Sequence, residues 1–160
     1  MADMQSIPSD TALSAGDVVR GAARLLFRHG LIAVPEVTLG NGRRADMMAV
    51  DTKGQIVIVE IKISRADLLG DRKWPDYLDY CDRFFWAVPA GFDLSLCERK
   101  ELQPEVSGLI VADAYDAAIV REAAETPLAA PRRRAETLRF ARRAAARLLA
   151  VEDPHIDGLD

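Results

Sequence analysis

The sequence predicts an α/β fold, a mixed β-sheet flanked by helices. Two apolar, β-branched-rich runs, Arg43–Val50 and Gln55–Lys62, are joined by Asp51-Thr52-Lys53-Gly54 and read as a β-hairpin. A third apolar run, Arg83–Pro89, follows only after a stretch carrying helix signals. Amphipathic helical spacing lies near both ends of the chain, at Val18, Ala22, Leu25 and Leu26 and again across Ala135–Val151.

Composition fits one soluble domain. The chain has 160 residues, 49% hydrophobic and 29% charged, enough to bury a core. No apolar run reaches the length needed to span a bilayer, and Met1–Ser6 lacks the basic-then-apolar order of a signal peptide. Cys81 and Cys97 have no metal-ligand spacing and are expected to be reduced thiols in a cytoplasmic protein. A net charge of −4 does not advertise a nucleic-acid binder, but the distribution is uneven. Seven arginines (132, 133, 134, 139, 142, 143 and 147) fall between Pro131 and Ala150 against the single acid Glu136.

In chain order, residues 1–13 are polar and read as a flexible tail. Ser14 with Asp17 forms a Ser-x-x-Asp helix start, and Gly30 after His29 is the stop. Leu31–Leu39 reads as a strand bent at Pro35, which places it near a sheet edge. Gly40-Asn41-Gly42 is the next turn. As a three-residue loop it sets Glu36 opposite Asp46; with Asn41-Gly42 alone as the turn, the register slips by one and Glu36 points away.

After Lys62, Ser64 and Asp67 start a short helix, Gly70-Asp71 interrupts it, and Lys73–Cys81 is a second short helix with Pro75 in its first turn. Arg83–Pro89 is a strongly apolar strand whose Phe84, Phe85 and Trp86 belong to the core. Ser107–Asp113 reads as a further strand and Ala117–Val120 as a short one pairing with it. Glu122–Pro131 is rich in Ala and Pro and reads as a linker. In the last helix Leu138, Ala141, Ala145 and Leu148 lie on one side and the arginines on the other. An acidic tail closes the chain at 152–160.

The chemistry concentrates on the hairpin. Thr52-Lys53-Gly54 suits a three-residue loop closed by a left-handed glycine, which sets Val50 opposite Ile56, Met48 opposite Ile58 and Asp46 opposite Glu60. Alternation then puts Asp46, Glu60 and Lys62 on one face. Two carboxylates on opposed positions, with β-carbons about 5 Å apart, repel unless one is protonated or a cation lies between them. Hard oxygen donors with an open position suit Mg²⁺ or Mn²⁺. A neighbouring lysine could orient or deprotonate a metal-bound water, or offset phosphate charge. Arg43 and Arg44 flank the same point, with Arg72 and Lys73 shortly after. The competing structural reading is an ion cluster that merely closes a strand end, and one lysine compensates only one carboxylate.

The pattern Asp46-x13-Glu60-x-Lys62 resembles the core of the PD-(D/E)xK nuclease superfamily. The wider stretch Gly42–Asp46, Glu60-Ile61-Lys62, Asp67, Asp71-Arg72-Lys73-Trp74, Tyr77 and Cys81-Asp82 resembles the MmcB family of bacterial DNA repair proteins, over roughly Gly16 to Val120. The resemblance implies a restriction-endonuclease-like core over 14–130, with a helix between the second core strand and a parallel third one. The Arg-rich helix 131–151 would pack on the same domain. It further implies metal-dependent DNA hydrolysis in repair. Asp46 and Glu60 would hold Mg²⁺ or Mn²⁺ with help from the Ile61 carbonyl and Glu36, and Lys62 would position or activate the attacking water. Arg43, Arg44, Arg72 and Lys73 would contact DNA phosphates, with other repair proteins as further partners. The alternative is a DNA-binding or adaptor module that keeps the fold without turnover.

Overall fold

A computed structural model describes residues 12–159; the first eleven residues of the expected N-terminal tail lie outside the described residues. Its centre is a six-stranded mixed sheet in the order β1 (Ile32–Thr38), β2 (Arg44–Val50), β3 (Ile56–Ile61), β4 (Arg83–Pro89), β5 (Gly108–Ala112) and β6 (Ala117–Arg121). The outer neighbours pair antiparallel, whereas β3–β4 and β4–β5 are parallel. The mixed α/β class expected from the sequence is the one observed, and Pro35 lies on an edge strand.

Three helices complete the fold. The first, α1 (Ala15–Arg28), starts with a capping box in which Ser14 accepts from the Asp17 amide and Asp17 bonds back to the Ser14 amide. Val18, Ala22, Leu25 and Leu26 bury its apolar face against Met47, Val59, Phe85 and Ile110. Gly21 lets that helix approach closely: a Cβ there would lie 2.6 Å from the Asp116 carbonyl and 2.7 Å from that of Asp113.

Both crossovers lie on the opposite face, as two successive right-handed connections advancing in one direction require. The β3–β4 crossover contains α2 (Arg65–Gly70), capped by Ser64, and a 3₁₀ turn over Trp74–Tyr80. The expected second short helix is therefore of the tighter kind. Trp74 and Tyr77 from that turn bury among Phe84, Trp86 and Met48. Trp74, Phe84 and Trp86 meet with ring centroids 4.9–5.2 Å apart. The β4–β5 connection adds two 3₁₀ turns, Leu94–Glu98 and Lys100–Leu102, over the same face.

Residues 122–129 correct one expectation. They have no regular structure, as a linker would, but are tied to the sheet as a strap. The amides of Thr126 and Leu128 donate to the carbonyl and carboxylate of Asp82, and that of Ala124 donates to Val106. Buried Asp82 also accepts from the Ile56 amide at 2.7 Å and from both terminal nitrogens of Arg133 at 2.6 Å each. This clamp fixes the start of α3 (Ala130–Glu152).

The orientation of α3 is a second correction. The side bearing Leu138, Ala141, Ala145 and Leu148 faces outward, with Leu138 60% and Leu148 63% exposed. The inward side carries Arg133, Glu136, Phe140, Arg143 and Arg147. Apolar periodicity failed here because specific polar bonds decide the docking. Besides the Asp82 clamp, Glu136 Oε1 accepts from the Gly40 amide, and Arg143 and Arg147 donate to the Glu36 carbonyl.

Candidate functional site

The hairpin register follows from its turn. Gly54 takes φ of +81°, which suits glycine, and the Asp51 carboxylate accepts from the amides of Lys53 and Gln55. Met48 then pairs with Ile58 and Val50 with Ile56. Extending that register sets Asp46 against Glu60, where the regular ladder ends and side chains take over. The Asp46 amide donates to Glu60 Oε1 at 3.0 Å, and the Ile61 amide donates to Asp46 Oδ2 at 2.8 Å. Each carboxylate thus has one oxygen fixed by backbone.

Electrostatics mark the pair as crowded. Glu60 is buried, and burial, with the Asp46 charge added, pushes its carboxyl up to about 8. Burial also raises Asp46, although the Ile61 amide and Lys62 pull the other way. Two such groups side by side, each with a further oxygen, form a site that favours either a proton or a cation.

Lys62 reaches this point from β3, but its direct bond is elsewhere. Its buried ammonium lies 2.9 Å from Asp71 Oδ2 and 3.9 Å from Asp67 Oδ1, and 5.9 Å from the Trp86 ring centroid. Burial alone would lower Lys62; the Asp71 bond outweighs it, and the net shift is upward. Asp71 ends α2 and is therefore a member of the site. In the sequence Asp71 stands out as a letter of the family-like pattern and as part of the Gly70-Asp71 break after the short helix, not as a partner of Lys62. Tyr77 closes the other side: its hydroxyl donates to the Arg44 carbonyl at 3.0 Å. Burial, with the charges of Glu60 and Asp46, raises its phenol well above the usual range.

Glu36 does not join the carboxylates. The three-residue turn does occur, with Leu39 bonded to Arg43 and Thr38 paired with Arg44, so Glu36 stands opposite Asp46 by count. Its backbone, however, takes φ of +54°, in the left-handed region. The exposed side chain pairs instead with Arg44 and Arg147 at 3.8 Å each. Its carbonyl accepts from α3, so Glu36 serves the helix rather than the acidic pair.

The four cations expected to meet phosphates divide. Arg72 and Lys73 are exposed, and no ion pair engages them among the described residues. Arg44 is exposed beside Glu36. Arg43 is held by Asp76, Nε to Oδ2 2.8 Å. Asp82, another letter of the family-like pattern, lies away from the acids and anchors α3.

The donor set can be tested against a metal ion. Among the described residues no group of three or more His, Cys, Asp or Glu side chains forms a ready cage. The two carboxylates that meet here fit a hexahydrate-forming ion such as Mg²⁺, which keeps several waters and takes only one or two carboxylates. The residues present fit that group.

Comparison with known proteins adds the remaining findings. A family model described as DNA repair protein MmcB-like matches residues 3–155. A solved protein of unknown function from Silicibacter pomeroyi is 46% identical, with a TM-score of 0.80, over 91% of this chain and 97% of that one. No curated protein matches the chain. No helix among the described residues is long and apolar enough to cross a membrane.

Proposed function

We propose that this chain, which belongs to the MmcB-like family of DNA repair proteins, is a divalent-metal-dependent nuclease acting on DNA phosphodiester bonds. The observation that carries the reading is the meeting of Asp46 and Glu60 at one buried point, with Glu60 pushed up to about 8. A strongly perturbed acid such as Glu60, paired with a second carboxylate beside a lysine, is a signature of functional sites.

Asp46 and Glu60 would hold Mg²⁺ or Mn²⁺, with the Ile61 carbonyl as a third oxygen. When bound, such an ion supplies Lewis acidity toward a phosphoryl oxygen and lowers the pKa of a bound water. The protein's own residues do the rest. The Asp46 and Ile61 amides fix one oxygen of each acid, so the carboxylates are positioned before any ligand arrives. Asp71 keeps Lys62 protonated, which suits Lys62 to charge stabilisation and water orientation rather than to proton abstraction. Arg44, Arg72 and Lys73 would hold phosphates without reading sequence.

The test is cleavage of linear, nicked and single-stranded DNA with Mg²⁺ or Mn²⁺, against Asp46→Ala and Lys62→Ala. Loss of cleavage in both folded variants is the expected result, and undiminished cleavage would refute the assignment. One observation favours a second reading, a DNA-binding module without turnover: among the described residues only two acids converge, and each already serves the backbone as an acceptor. Salt-sensitive DNA binding by the parent chain, with no cleavage under either ion, would decide for it.

A further inference from the structure

A groove of about 940 Å³ runs between α3 and the β1–β2 hairpin. Arg44 and Thr38 form its hairpin wall; Leu138, Arg139, Arg142 and Arg143 form its helix wall. No acidic residue lines it among the described residues. We propose that this groove binds the sugar–phosphate backbone of DNA and leads it to the acidic pair. The proposal extends the nuclease reading, because it gives that site's substrate a track.

Continuity is the first argument. Arg44 belongs to the groove wall and stands two residues from Asp46 on β2, about 7 Å along the strand. Successive phosphates of one strand are spaced on a similar scale, so a backbone held in the groove has neighbouring phosphates at the acids. Division of labour among the arginines is the second. Arg133 clamps Asp82, and Arg147 is held by Glu36. Arg142 is exposed and meets no acid among the described residues. Arg139 has only Glu136 at 3.7 Å. The docking bonds turn the helix so that Arg139 and Arg142 line the groove that Arg44 borders from the hairpin.

The chemistry of the wall fits a polyanion better than a small anion. A single phosphate needs converging donors, whereas a row of guanidiniums along an open groove matches a repeating charge. Leu138 and Thr38 add contacts that sugars tolerate and that carry no base readout.

The experiment measures binding of a fluorescent duplex and of its single strand to the full chain in EDTA, across a salt series, with Arg139→Gln/Arg142→Gln beside the parent. Circular dichroism and the melting temperature check that the fold is kept. The expected result is weaker binding and a slope of log affinity against log salt that is shallower by about 1.8 for the duplex, some 0.9 for each lost contact. A single Arg142→Glu variant should weaken binding further than Arg142→Gln. Unchanged affinity and slope in the double variant would overturn the proposal and leave these arginines to an acidic protein partner. The two readings fail separately: lost binding without any parent cleavage removes the nuclease, and intact binding with metal-dependent cleavage removes the groove.

Discussion

The amide of Asp46 donates to the carboxylate of Glu60 at 3.0 Å, so the two strands are joined at their acidic ends by a side chain where a backbone carbonyl would ordinarily serve. The bond fixes the acids relative to each other and forces both to share one weakly solvated space. The burial of that space, which the amide bond only partly offsets, sets how the protein responds to pH.

Burial, with the Asp46 charge behind it, holds Glu60 at about 8, well above the usual carboxyl range. The folded state therefore keeps a proton that the unfolded chain releases in mild acid. Stability from this group is complete below the ordinary glutamate range and is lost as pH climbs toward 8. In EDTA the melting temperature should fall across that interval, with a limiting slope of ~1.4 kcal/mol per pH unit for one proton. Glu60→Gln should flatten the fall. Added Mn²⁺ should raise the melting temperature more at the alkaline end than at the acidic end, because ion and proton compete for the same oxygens. A calorimetric pH series with and without metal checks each point.

Lys62 and Asp71, 2.9 Å apart, separate two roles for the lysine. Asp71→Asn removes the charge that holds Lys62 protonated and should lower its pKa. If Lys62 acts as a cation, the alkaline limb of the pH–rate profile moves to lower pH and activity falls there first. A lysine acting as general base would instead gain activity near neutrality. The limb is read from kcat/KM across pH for the parent and Asp71→Asn.

The Asp82–Arg133 clamp should carry a large part of the docking of α3. Burial pushes Asp82 up, but the Arg133 guanidinium and the amides of Ile56 and Leu128 more than offset it and hold the carboxyl below its usual range. Its stabilisation is thus present above that range and lost as pH falls through the lowered value, the opposite sign to Glu60. Arg133→Ala leaves a buried carboxylate without its main partner and should cost ~3 kcal/mol in urea unfolding. Asp82→Asn should cost less, since an amide keeps one acceptor and remains neutral.

How far the fold was legible depended on whether local chemistry or a distant contact fixed each part. The Asp51–Gln55 turn determines its own register through Gly54 and the Asp51 side chain, so the pairing of Asp46 with Glu60 could be counted off the sequence. The capping box at Ser14 was legible for the same reason. Glu36 was not, because neither its φ of +54° nor the bonds its carbonyl accepts from Arg143 and Arg147, more than a hundred residues away, leave a local signal. The outward turn of Leu138 and Leu148 has the same origin: hydrophobic periodicity marks an apolar side but does not reveal that Asp82 and Glu36 hold the other one. Asp71 was visible as a residue but not as the partner of Lys62, since the eight intervening residues have to fold back first.

The last segment of the chain bears on the arginine groove. Gly158 and Leu159 line it, which brings the end of the acidic stretch Glu152-Asp153 through Asp157 to the wall that holds Arg139 and Arg142. A tail of that charge would compete with a phosphate backbone for the same guanidiniums, at high effective concentration because it is tethered. Removing residues 153–160 should therefore tighten DNA binding and steepen its salt dependence, the reverse of Arg139→Gln/Arg142→Gln. Replacing Asp153 and Asp157 by Asn should reproduce part of the gain, which separates charge competition from simple obstruction. Competition anisotropy with the parent, the truncated chain and the Asn variant at matched ionic strength reads all three, and equal affinities across them would show that the tail leaves the groove open.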